Sequence, residues 1–320
     1  MKYTLIIRKQ KQGVLKMSDK KINPYVALAI GVISVSTSAI LVKVSSAPSG
    51  VIAFYRLLFS VLFMLPVFLI KYVPELRLIT RRDWIYSIIA GVFLAFHFIL
   101  WFESLNYTSV ASSTVLVTLQ PLFAFAGTYF FFKEKFTWKA ILSGLLAIVG
   151  SIIISWGDFQ ISGTALFGDI LAIIACALVT AYLMFGQTVR KRMSLVTYTF
   201  VVYSISTVTL LFYVLMVNEP LIPYGTSDWV YFILLALIPT LLGHTLFNWS
   251  LKWLSTSTIS MAILFEPVGA AILAYYLLHE SIIWTQVLGG TVVIGGITIF
   301  LLDERRIRMK ELKKKTTISG

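Results

Sequence analysis

Charge is scarce in this 320-residue chain: Asp, Glu, Lys and Arg together make up 13% of it, about half the share of a soluble domain. Against 58% hydrophobic residues, so little charge cannot clothe a water-soluble globule, and a soluble enzyme or soluble binding module is excluded. Cysteine occurs once, at Cys176, which rules out an intramolecular disulfide and a cysteine metal cage. His279-Glu280 lacks a second histidine four residues on, so it is no zinc-protease motif, and no metal is expected. There is no glycine-rich nucleotide-binding loop, so no cofactor is expected and any work must draw on ion or substrate gradients. Long polar stretches are missing too. The linkers, such as "SSAPSG", "GDFQISG" and "NEPLIPYGTSD", are too short to fold into an extramembrane domain.

What the chain has instead is apolar blocks of about twenty residues, the length of a helix that crosses roughly 30 Å of hydrocarbon. Ten are counted, near 24–43, 50–71, 84–104, 108–132, 138–156, 166–187, 196–217, 229–251, 256–278 and 282–302. Their runs far exceed the roughly ten alternating residues of a barrel strand. The expected fold is therefore an all-α integral membrane protein with ten transmembrane helices.

The net charge of +13 would suit nucleic acid, but its distribution points to a bilayer. All of the 27 basic residues except Lys43 and Arg56 lie in the two tails or in alternate loops. By the positive-inside rule both termini are cytoplasmic and the number of spans is even. The expected location is a bacterial plasma membrane, with lipid and a small-molecule substrate as partners, no nucleic acid, and a monomer or homodimer as the assembly. No cleaved signal peptide is expected, since the first block is too long for one. Residues 1–16 have the look of an extension, because Met17 would itself make an ordinary start.

The chain also repeats itself. A shift of 146 residues sets Ser109 on Ser255, Pro121 on Pro267, Ala124 on Ala270, Tyr129 on Tyr275, Glu134 on Glu280, Trp138 on Trp284, Gly144 on Gly290 and Gly150 on Gly296. Upstream, at a shift of 145, "DWIY" (83–86) meets "DWVY" (228–231). Each copy holds five spans, an odd number, so the second must enter the membrane from the opposite side. Two inverted five-helix repeats are expected, related by a pseudo-two-fold axis in the membrane plane. The implied organisation is a basic tail (1–23), a first repeat (24–157), a second repeat (158–302) and a basic tail (303–320).

Three stretches carry a family resemblance: "LQPLFAFAGTYFFFKEKFTWKAILSGLLAIVG", "LFEPVGAAILAYYLLHESIIWTQVLGGTVVIGG" and "VKVSSAPSGVIAFYRLLFS" with Lys43, Pro48 and Arg56. The chain resembles the drug/metabolite transporter superfamily, in particular the bacterial EamA-like transporters with ten spans. The resemblance covers about residues 24–302. It implies transport, with exporters of amino acids, other metabolites and drugs all within the family, and it marks Glu134 and Glu280 as signature residues. We read these two as structural, capping a neighbouring span or pairing with a base.

Polar residues inside the spans are the site candidates. Glu266 sits near the bilayer midplane, where a charge costs about 2.5–3.5 kcal/mol, so it must face the bundle interior or a wet cavity. The proline after it, Pro267, frees a backbone carbonyl one turn back. Glu266 is read as a substrate-amine contact or proton-coupling group, against a carboxyl buried neutral or paired. Its repeat mate is Gln120, polar but not titratable. His97 and Trp101 share one helical face, as do His244 and Asn248, which suggests either two walls of one cavity or histidines bonded to a neighbouring helix. Arg56 either snorkels outward or lines the outer half of a pathway, where it would attract an acidic substrate group. Lys43 is expected to snorkel, Pro239 to kink its helix, and Tyr182 and Ser38 to line the wall.

The reading is a secondary transporter that moves a small metabolite, an amino acid or related compound, outward by alternating access around a midplane cavity, with protons exchanged through Glu266. A multidrug or organic-cation exporter is the alternative. An intramembrane enzyme is a second class, for which no serine motif, paired aspartates or clustered histidines are found, and a non-transporting receptor or scaffold is a third, for which the loops are too short.

Overall fold

In a computed structural model of the chain, residues 22–133, 136–155, 164–279 and 284–318 are described. Glu134, Glu280 and the "GDFQISG" linker fall outside them. Every regular element among the described residues is a helix, with no strand among them. Eight helices or helix pairs are long and apolar enough to cross a membrane, and two shorter apolar stretches, Trp138–Gly150 and Val287–Phe300, accompany them.

Apart from the one-turn helix Val73–Leu76, the elements in chain order are α1 Pro24–Val35, α2 Ser38–Val44, α3 Ser49–Lys71, α4 Arg81–Ser104, α5 Val110–Val117, α6 Gln120–Phe132, α7 Trp138–Ser155, α8 Ala165–Val189, α9 Leu195–Met216, α10 Thr226–Leu235, a π-helical segment Ala236–His244, α11 Thr245–Ser250, α12 Thr256–Ile263, α13 Glu266–Leu278 and α14 Trp284–Ile318. The last helix continues through the basic segment expected to be a tail. Helix starts follow local chemistry. Asn23, Thr80, Ser109, Ser194 and Ser255 each accept a hydrogen bond from a backbone N–H of the first turn, which satisfies one of the donors left orphaned there.

Four of the expected continuous spans are interrupted. In the first, "SVSTS" turns at Ser36–Thr37. Ser34 and Ser36 hydroxyls donate back to the carbonyls of Ile30 and Val32, a competition that weakens a helix. The fourth breaks at Thr118–Leu119 and the ninth at Leu264–Phe265. Pro121 and Pro267 follow in the first turn of the new helices, where the missing N–H costs nothing. In the eighth, Pro239 lies within the π segment rather than at a simple kink. The side chains of Thr240 and Thr245 there donate five residues back, to Leu235 and Thr240 carbonyls.

The 146-residue shift survives in three dimensions. It carries α5 onto α12 and α6 onto α13 end for end, and it carries left-handed Lys133 (φ 57) onto left-handed His279 (φ 57). The shift is 145 at the start of α4 and α10, and 146 at the ends Ser104 and Ser250. The second copy thus has one residue more, and the π segment is where it is absorbed, since a π turn holds one residue more than an α turn.

Contacts between the copies are reciprocal. α6 packs on α12 while α13 packs on α5, and α7 packs along α14. A Cβ at Gly150 would lie 2.6 Å from the Gly289 carbonyl oxygen and 2.9 Å from Val293, and one at Gly296 would lie 2.8 Å from the Ser143 oxygen and 3.2 Å from the Ala147 nitrogen. Under the shift these are one set of contacts made twice. Ascending numbers in α7 face descending numbers in α14, so the two equivalent helices run antiparallel.

Candidate functional site

The three turns and the π segment meet. Val35 and Ser38 flank the first turn, Val117 and Gln120 the second, and Ile263 and Glu266 the third. All six line one pocket with His97, Trp101, Val179, Leu183, His244 and Phe247. Free space there is narrow, enough for roughly one or two waters, so the pocket is closed in this conformation. Irregular backbone at membrane depth is tolerated where protein or a cavity supplies partners.

Six of the expected site residues thus come together: Ser38, His97, Trp101, Gln120, His244 and Glu266. Glu266 opens α13, where the helix dipole favours negative charge. Its backbone carbonyl accepts from Ser36 at 3.3 Å, while among the described residues its carboxyl group has no hydrogen bond and feels the charge of Arg56 only from beyond ion-pair distance. The His97 ring donates from Nδ1 to the Ala175 carbonyl at 3.0 Å. That leaves Nε2 of the neutral ring as an acceptor. His97 stacks on Trp101 at 5.7 Å between centroids and meets His244 at 6.5 Å.

Three expected residues stand behind the pocket rather than on its surface. Arg56 does not snorkel. It is fully buried, donating from Nε to Thr240 Oγ1 at 2.7 Å and from Nη1 to Ser38 Oγ at 2.8 Å. Its guanidinium lies 4.1 Å from the Phe98 ring centroid. Snorkelling fails because Ser49, the first residue of α3, is itself buried, and because two hydroxyls and two aromatic faces are within reach inside. No described carboxylate forms an ion pair with it. Asn248 donates to the Tyr182 hydroxyl and to the His244 carbonyl, so both belong to a supporting layer. Lys43 is exposed as expected, and its ammonium donates to the Leu105 carbonyl at 2.8 Å, just past the end of α4.

Unpaired polar atoms concentrate here. Trp101 Nε1, Gln120 Oε1, His244 Nδ1, Asn248 Oδ1 and Arg56 Nη2 are buried without a partner. Buried polar groups are nearly always satisfied, so the cluster has the character of a site built for polar guests. The apolar walls Val117, Val179, Leu183, Phe247 and Ile263, and the Arg56 anchor Thr240, were not among the sequence candidates. Pro239 beside Thr240 was the one available signal.

A model of the EamA-like transporter family matches residues 23–156 and 166–302. The uncharacterized transporter YetK of Bacillus subtilis (strain 168) is 27% identical over 317 residues, covering 93% of this chain and 92% of its own. The uncharacterized transporter YxxF of the same organism is 23% identical over 293 residues, covering 89% and 91%. An uncharacterized transporter of Archaeoglobus fulgidus is 22% identical over 275 residues, covering 85% and 94%. A solved crystal structure, titled only as that of a protein, superimposes with a TM-score of 0.71 at 16% identity, covering 89% of this chain and 98% of that one. At that identity the likeness concerns the fold alone.

Proposed function

This chain belongs to the EamA-like transporter family, a family of transporters rather than enzymes, and on that premise we propose that it exports a small polar metabolite by alternating access. In this reading residues 24–157 and 158–302 are two five-span halves inserted in opposite senses in a bacterial plasma membrane, with both termini cytoplasmic. The antiparallel packing of α7 on α14 supports it, because a two-fold axis in the membrane plane makes equivalent helices antiparallel. The pocket is contained within one chain, so a monomer suffices.

One observation carries the proposal: interrupted helices from both halves deliver Ser38, Gln120, His244 and Glu266 to a single closed pocket. Discontinuous helices around a midplane site are how secondary transporters expose backbone and side-chain polarity to a substrate. The unpaired donors and acceptors of the pocket wall favour an amino acid or related polar compound over an apolar drug. Glu266, unpaired and at a helix start, is the group we assign to proton exchange and to a substrate amine.

Binding screens on purified protein with amino acids, purines and organic cations identify the ligand class. The hit is then used in proteoliposomes carrying Glu266→Gln. The variant is expected to exchange substrate more weakly, since Gln keeps a polar contact to the amine without its charge, and to lose accumulation driven by a pH difference alone. If it still accumulates substrate on that gradient, Glu266 does not couple protons and uniport is the better reading.

A further inference from the structure

Two aspartates at opposite ends of the bundle make one contact twice. At one end Asp83, in the first turn of α4, receives Arg192, whose Nε lies 3.1 Å from Oδ1 and whose Nη2 also donates to it. Arg192 belongs to the connection between α8 and α9. At the other end Asp228, in the first turn of α10, accepts from Ser45 Oγ at 2.7 Å, Ser46 N at 2.8 Å and Ser46 Oγ at 2.7 Å. Ser45 and Ser46 belong to the connection between α2 and α3. The repeat relates Asp83 to Asp228 and Arg192 to Ser46. In each case an aspartate of one copy holds the interhelical connection of the other.

The two contacts are far apart. α3 starts three residues after Ser46 and runs 23 residues, about 35 Å at 1.5 Å per residue. It ends beside the short turn Val73–Leu76, whose Glu75 accepts from Ser194 N, two residues from Arg192. Both aspartates are buried, at 3% exposure each. One latch is a charge-assisted arginine–carboxylate pair, and the other is built from two hydroxyls and an amide. Charge-assisted bidentate pairs are the stronger kind.

We propose that Asp83–Arg192 and Asp228–Ser45/Ser46 are the latches that close the two ends of the transport pathway, and that their unequal chemistry sets which end opens more readily. The proposal rests on the alternating-access reading above. Both latches are engaged while the pocket is closed. Each must part when its own end opens, and the other must hold.

Spin-label distances test this in protein reconstituted in phospholipid nanodiscs, in a Cys176→Ala background. One label pair replaces Arg82 and Lys191, and a second replaces Val44 and Ser227; all four positions are exposed. Asp83→Asn, or the milder Arg192→Gln at a side chain 45% exposed, is expected to raise the long-distance population of the first pair about fivefold, the order expected for losing one ion pair, and to lower that of the second. Asp228→Asn does the converse. The swap Asp83→Arg with Arg192→Asp restores the original populations. If the unsubstituted latches show an open population on either pair and the variants leave its size unchanged, the latches are wrong while alternating access stands. If neither distance ever varies, alternating access fails and the latches fail with it.

Discussion

Ser38 and Arg56 are joined by a 2.8 Å hydrogen bond in which the guanidinium donates, and this sets a buried positive charge directly behind a hydroxyl that lines the pocket. Because Ser38 accepts from Arg56, its own O–H is left as a donor toward the pocket. A substrate carboxylate would find a polarised donor there, while an amine would be drawn to Glu266 and Gln120.

Ser38→Ala is therefore expected to weaken substrate binding about tenfold, and to destabilise the protein by about 1–3 kcal/mol because Arg56 Nη1 loses its acceptor. Titration of the purified variant with the screened ligand, alongside its thermal midpoint, checks both effects. Unchanged affinity would mean that the Arg56–Ser38 pair serves packing alone.

The antiparallel seam between α7 and α14 has a built-in control. Gly150→Ala and Gly296→Ala place a Cβ within 3 Å of backbone atoms across the seam, and overpacking of this kind costs about 1–3 kcal/mol. The Cβ of Gly295→Ala meets nothing within 4 Å, and that variant is expected to cost nothing. Thermal unfolding in detergent should give two matched losses and one null. Three similar midpoints would contradict the seam.

The π segment is expected to be dispensable for folding and needed for the site. Deleting Leu242, which is 46% exposed, brings the second copy to the length of the first and lets the segment relax to α-helix without rotating its flanks. Thr240 and His244 then lose their present relation to Arg56 and the pocket. The deletion variant should insert and fold, with its thermal midpoint lowered about as much as that of Ser38→Ala because Arg56 Nε loses Thr240, and should bind substrate at least tenfold more weakly. Retained binding would show that the extra residue has no part in the site.

Much of this was legible before any coordinates. Blocks of twenty apolar residues locate spans because the bilayer leaves few other solutions, and Pro, Trp and Gly in register at 146 residues reported the repeat. Of the intramembrane polar candidates, six line the pocket and Arg56, Tyr182 and Asn248 stand behind it, as expected of groups that are costly to bury against lipid. The turns at Ser36–Thr37, Thr118–Leu119 and Leu264–Phe265 were not foreseen: a proline in the first turn of a helix and hydroxyls bonding back to carbonyls are both compatible with a continuous span. The change of shift from 145 to 146 was the trace of the π segment, readable only once helix ends were known. Snorkelling and pathway lining stayed open for Arg56 because its partners Ser38 and Thr240 are 18 and 184 residues away. Asp83 and Asp228 stood in plain sight in "DWIY" and "DWVY" as repeat markers, and only their partners across the bundle gave them a role.

The most direct test of the whole arrangement uses a single reporter in the pocket wall. Val117→Cys in the Cys176→Ala background is reconstituted in sealed liposomes and exposed to a membrane-impermeant thiol reagent from one face, then from the other. Alternating access predicts labelling from both faces, with saturating substrate slowing each. Labelling from one face alone, whatever the substrate or pH gradient, would contradict it.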